Sequence, residues 1–170
     1  MKRTIIFYLI VILCFTLFNC KENHTSMQPK DVQPTGVVVM QSINVSVKSK
    51  TGEDLLDPAN SNGIKEFKIY YLVNGEKKLY SNPNMDAPQG YRIWKHPAKE
   101  FYYLNVLMDG SRGIHETQTF LQLGNSPSLD TLRTQYRTDP TNIIAEKVWH
   151  NDKLVWKMED GEPAFDLIIP

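Results

Sequence analysis

From Val37 onward, apolar side chains recur at every second position, and no stretch after Phe18 sustains the 3.6-residue period of a helix. Ile43, Val45 and Val47 alternate with Ser42, Asn44, Ser46 and Lys48, the pattern of a half-buried strand. Phe67, Ile69, Tyr71 and Val73 repeat it against Glu66, Lys68 and Tyr70. Asn74-Gly75 follows at once. That pair accepts positive φ at both positions, so it specifies a type I′ hairpin in which residues 76–80 return as the partner strand. A second two-residue turn, Asn151-Asp152, joins Ile143–His150 to residues 153–158. Residues 101–108, 115–123 and 131–137 read as further strands, with 101–108 apolar nearly throughout and therefore covered on both faces, while Tyr91 and Trp94 are read as part of the long loop that begins at Ser81. Residues 166–169 offer a final edge. About eight short strands punctuated by turns predict an all-β fold, a single antiparallel β-sandwich of immunoglobulin-like or related type. A small closed barrel is the alternative.

Hydrophobic residues make up 41% and aromatics 11% of the 170 residues, enough for one domain with a real core. Nineteen Lys and Arg balance nineteen Asp and Glu. A nucleic-acid partner is not expected, because neutralising phosphates requires a basic excess.

The N-terminus carries an address. Lys2 and Arg3 precede an apolar run from Ile5 to Phe18 that only Thr16 interrupts. The run is about 14 residues long, whereas a helix crossing a bilayer needs roughly 20. A basic start followed by a short apolar segment reads as a secretory signal. The segment Leu17-Phe18-Asn19-Cys20 resembles a bacterial lipobox, in which the cysteine becomes the lipidated first residue after cleavage. Asn19 stands where that pattern usually has Gly, Ala or Ser. Cys14 fits worse, since bulky Leu13 precedes it. An ordinary signal peptide is the alternative. Residues 1–19 are thus expected as a lipoprotein signal peptide, 20–36 as lipidated Cys20 and a flexible tether, and 37–170 as the β domain. Cleavage would leave 17 basic residues against 19 acidic ones, a net charge of −2, and no free thiol. Residues 21–36 are polar with two prolines, so burial cannot offset their ordering entropy. Fully extended, about 16 residues reach roughly 50 Å. Lys21-Glu22 is similar to the charged export signal of Bacteroidetes surface lipoproteins.

Candidate chemistry is sparse. His96, His115 and His150 have no second imidazole at metal-ligand spacing and read as surface residues; no metal and no cofactor are expected. No Gly-x-Ser-x-Gly elbow or glycine-rich phosphate loop occurs. The acid pairs Glu53-Asp54 and Glu159-Asp160 are adjacent within turns, so nothing aims them across a cleft. The aromatics are more informative. With Asn151-Asp152 as a two-residue turn, Trp149 faces Leu154 and Lys147 faces Trp156, so Trp149, Leu154, Trp156 and Met158 share one face. That face is expected to pack in the core. The alternative is a platform for sugar rings that uses Trp149 and Trp156 with Tyr91 and Trp94, since sugar C–H edges complement the negative face of an aromatic ring.

The lipobox, Lys50-Thr51-Gly52-Glu53-Asp54-Leu55-Leu56, Ile69-Tyr70-Tyr71-Leu72-Val73-Asn74-Gly75 and Val148-Trp149-His150-Asn151-Asp152-Lys153-Leu154-Val155-Trp156 together make the chain similar to the small lipoproteins common in Bacteroidetes. The resemblance implies an address and a sandwich fold, but no activity. Asp130-Thr131-Leu132 resembles the O-glycosylation signal of secreted Bacteroidetes proteins, and Val47-Lys48-Ser49-Lys50-Thr51-Gly52 is similar to carboxypeptidase regulatory-like modules. The expected function is a non-enzymatic binding or structural module of the cell envelope. It would be anchored to the membrane, by resemblance the outer one, through Cys20, with a glycan or an envelope protein as partner. A glycan-binding accessory lipoprotein is the alternative, and an envelope hydrolase comes last. Replacing Cys20→Ala should leave the chain unprocessed and block incorporation of labelled fatty acid; labelling equal to wild type would rule out Cys20 as the anchor.

Overall fold

The computed structural model describes residues 37–111, 113–139 and 141–170. Cys20, the signal segment and the tether lie outside the described residues. Eleven strands, β1 Val39–Met40, β2 Ser42–Ser49, β3 Phe67–Val73, β4 Glu76–Leu79, β5 Tyr91–Lys95, β6 Tyr102–Leu107, β7 Glu116–Leu123, β8 Asp130–Thr138, β9 Ile143–His150, β10 Lys153–Lys157 and β11 Ala164–Ile169, build a β-sandwich. One sheet has seven strands in the order β1-β9-β8-β7-β3-β4, with β10 also paired to β9; the other has four, β11-β2-β6-β5. Both expected hairpin turns form, with Asn74 and Gly75 at φ 54° and 81° and Asn151 and Asp152 at φ 46° and 66°. The Asn151 turn is also tied to β8. Its Oδ1 accepts from Thr131 N at 2.8 Å, and its backbone N–H donates to Thr131 O at 2.9 Å.

One core fills the space between the sheets. Ile43, Val45, Val47, Leu104 and Val106 from the four-stranded sheet meet Ile69, Leu121, Leu132, Tyr136, Val148 and Trp156 from the other. These inward positions are those that the period-two reading of β2, β3, β7 and β8 selects. β4 is exposed along its whole length and carries Glu76, Lys77 and Lys78, charges that discourage pairing at an open sheet edge.

Two edges pair in parallel, β1 with β9 and β11 with β2. The chain moves from the large sheet to the small one after β10. A single 3₁₀ turn at Met158–Asp160 makes that crossing, held by Lys157 N–H donating to Asp160 Oδ2 at 3.0 Å. Asn44 N–H then donates to Pro163 O at 2.8 Å, which docks the chain alongside β2.

The closing hairpin departs from the expected shared face. Leu154 pairs with Trp149 as the turn dictates, but Trp156 pairs with Val148, so Val155 is the extra residue of a β-bulge. The bulge reverses the inward-outward alternation. On β9 a second irregularity at Glu146, where Gln135 pairs with Lys147 but Tyr136 with Ala145, turns Val148 inward and Trp149 outward; Leu154, opposite Trp149, is 47% exposed. Trp156 turns into the core at 2% exposure, where its indole N–H donates to Gly161 O at 3.3 Å. Trp156→Ala should cost about 3–5 kcal/mol through lost burial and the cavity left behind. Trp149→Ala should cost about 1 kcal/mol, the scale of a partly exposed cation–π pair. Chemical denaturation of both variants checks this; equal losses would contradict the bulge.

Candidate functional site

The outer face of the four-stranded sheet is assembled by register. β2 is buried on both sides, so Asn44 at 8% and Ser46 at 1% exposure are enclosed although they point away from the core. Asn44 pairs with Asn105 of β6, and Asn105 pairs with Arg92 of β5, giving one cross-strand row. The adjacent row runs from Trp94 through Tyr103 towards Ser46 and Asp166. Side chains two apart in a strand share a face, which is why Arg92 and Trp94 stand together here.

Asn44 organises this surface. Its Oδ1 accepts from Trp94 Nε1 at 3.3 Å and from Asn105 Nδ2 at 2.9 Å, while its Nδ2 donates to Glu162 Oε1 at 3.1 Å. The indole is therefore held at a fixed angle beside a shallow depression of about 320 Å³ lined by Asn44, Arg92, Ile93, Trp94 and Asn105. Trp94 also packs against Tyr103, with centroids 5.5 Å apart and planes tilted by 47°, and lies near-parallel to His96 at 6.1 Å. Phe101 meets Tyr103 edge-on at 5.0 Å, and Lys48 and Lys99 sit over the Phe101 ring at 5.2 and 5.3 Å. Ser46 donates to Asp166, and that hydrogen bond, together with Lys48 at 3.3 Å, holds the Asp166 carboxyl below the usual carboxylate range. Burial, and then the charges of Glu162 and Asp166, push the Tyr103 phenol up.

The four aromatic residues singled out in the sequence do not converge. Trp94 alone belongs to this face. Tyr91, one residue out of phase with Arg92, points the other way and packs on Phe67 with centroids 5.4 Å apart. Trp149 lies on the outer face of the seven-stranded sheet, where the Arg133 guanidinium stacks 3.8 Å from its ring centre. Trp156 is sealed in the core, so it cannot serve as a platform. The face instead recruits Asn44, Arg92, Asn105 and Tyr103. The strand alternation of residues 91–94 pairs Arg92 with Trp94, whereas the register that brings Asn44 and Asn105 alongside is non-local.

A second concavity of about 460 Å³ lies between Leu123, Leu167 and Ile169 on one side and Ser126, Ser128, Asp130 and His150 on the other. His150 is not a free surface imidazole. Its Nε2 lies 2.7 Å from Asp130 Oδ1, and its ring stacks on Phe165 at 5.5 Å. The bond to His150, reinforced by Asn151 Nδ2 at 2.8 Å, lowers the Asp130 pKa despite partial burial. Ser126 and Ser128 are hydrogen-bonded to each other at 2.8 Å. No hydroxyl among the described residues is hydrogen-bonded to His150, so no nucleophile is paired with a base here. Among the described residues no group of three or more His, Cys, Asp or Glu side chains could hold a metal ion, and no helix is long and apolar enough to cross a membrane. No protein-family model, curated protein or solved structure matches the chain.

Asp130 has a depressed folded pKa, so its contribution to stability is full above the unfolded value near 3.9 and fades as pH falls through the folded value. Asp130→Asn should therefore lower the unfolding free energy at pH 7 by about 1 kcal/mol, and with it the melting temperature. The gap to wild type should narrow as pH falls below about 3.9. Thermal melts across that range decide it, and a gap that widens in acid would contradict the assignment.

Proposed function

We propose that the protein is a non-enzymatic, lipid-anchored binding module of the bacterial cell envelope, and that its ligand is a glycan taken on the outer face of the four-stranded sheet. The observation that carries this reading is the fixed indole of Trp94, locked by Asn44 at the rim of a depression whose other polar walls are amide and guanidinium groups. A pyranose presents axial C–H groups on one face and hydroxyls around its edge. An aromatic ring answers the first, and amides that both donate and accept answer the second. Holding the ring in place before binding reduces the ordering entropy that association would otherwise cost.

The address supports the same reading. A lipid on Cys20 together with an amide-linked second chain would meet the requirement for stable anchoring, which a single chain does not. A polar tether of about 16 residues would then hold the domain clear of the lipid head groups. Trp149 is the less suitable aromatic, because Arg133 covers one side of its ring and is itself paired with Glu116 at 2.9 Å. Calorimetric titration of the purified chain against a panel of neutral and acidic polysaccharides tests the assignment. At least one member should bind. Trp94→Ala should weaken that binding by roughly tenfold or more, equivalent to about 1.4 kcal/mol, while Trp149→Ala leaves it intact. Binding untouched by Trp94→Ala would refute the face as the site.

A further inference from the structure

We infer that the glycan taken at this face is acidic, a polysaccharide of carboxylated sugars whose carboxylate is gripped by Arg92 while the sugar ring lies on Trp94; this rests on the glycan reading above. Arg92 is exposed, and it lines the same depression as Trp94. It forms no hydrogen bond or ion pair with any described residue. The other arginines with described side chains are engaged: Arg133 with Glu116 and the Trp149 ring, and Arg137 with Glu146 at 3.9 Å. A guanidinium left free beside a fixed aromatic ring offers two parallel N–H donors in the geometry of a carboxylate. Two residues along a strand separate Arg92 from Trp94 by roughly 7 Å. That suits a sugar ring stacked on the indole with an exocyclic carboxylate projecting along the strand.

The charges around the depression are sorted accordingly. The carboxylates of this face are Glu162, bonded to Asn44 on β2, and Asp166 on β11, three strand spacings or roughly 14 Å from β5. Asp166 thus lies beyond the screening length of about 8 Å at physiological salt. Both are also engaged already, Glu162 by Asn44 Nδ2 and Asp166 by Ser46 and Lys48. Beyond Trp94, Lys99 lies over the Phe101 ring and adds positive potential. Asn105 directs its Nδ2 at Asn44, which leaves its Oδ1 to accept from a sugar hydroxyl. A neutral glycan would leave the Arg92 guanidinium without a partner.

The test uses polymers that differ only at the carboxyl group. Polygalacturonate, alginate and hyaluronate are each titrated calorimetrically into the full-length chain in detergent, beside their methyl-esterified forms. At least one acidic polymer should bind tenfold or more tightly than its ester. Arg92→Gln should erase that preference, bringing affinity for the acidic polymer down to that for its ester. Lys77→Gln, on the opposite sheet, should keep the preference and so excludes a general charge effect. Equal affinity for acid and ester, or a preference that survives Arg92→Gln, would overturn the inference. Binding of neutral glycans alone would overturn it and leave the glycan reading standing, whereas no binding to any polysaccharide would remove both.

Discussion

Everything on the four-stranded side depends on β2 being buried on both faces. Ile43, Val45 and Val47 supply the apolar half of the core wall, and burying them accounts for the strand's position in the sheet. The same burial encloses Asn44 on the reverse face, where an unpaired amide would carry a desolvation cost of about 1–3 kcal/mol. The strand can be central only if Asn44 finds partners. It finds three, Trp94, Asn105 and Glu162, each from a different part of the chain. Satisfying one buried amide thus ties the β5 edge, the centre of β6 and the segment before β11 into a single surface. The requirement of the fold and the order of the candidate site are the same set of hydrogen bonds.

The closing hairpin shows a complementary constraint. A single extra residue at Val155 sends Trp149 and Trp156 to opposite sides of the large sheet. One becomes core, with its N–H satisfied by Gly161 O, and the other becomes an outward ring capped by Arg133. Had the strand stayed regular, the two indoles would have competed for the same side. The bulge resolves this by placing the larger burial where the 3₁₀ turn can complete it.

Much of the fold was legible because its signals are local. Asn74-Gly75 and Asn151-Asp152 specify their turns through positive φ alone, and the inward positions of β2, β3, β7 and β8 follow from alternation. What was not legible is non-local or irregular. No pattern within Trp149–Trp156 announces a bulge, and nothing in residues 164–169 reveals that they join β2 in parallel. The candidate site was partly visible: Trp94 stood out as an aromatic, but in an expected loop, and only the strand Tyr91–Lys95 that the structure shows there puts Arg92 on its face by alternation. Asn44 and Asn105 looked like ordinary outward polar residues, because their juxtaposition exists only in the register of β2 with β6.

On the proposed reading, the lipid supplies address and the sheet supplies recognition, and the two are separable because a polar tether joins them. The account therefore turns on which indole meets the ligand. Two-dimensional ¹H–¹⁵N NMR of the protein resolves the three tryptophan Nε1–H signals individually once each is assigned by substitution. Adding an acidic polysaccharide should shift the Trp94 indole signal and the backbone amides of Arg92, Asn44 and Asn105, while the Trp149 and Trp156 indoles stay in place. A spectrum in which Trp149, or the amides around Asp130 and His150, respond while Trp94 does not would contradict the central claim.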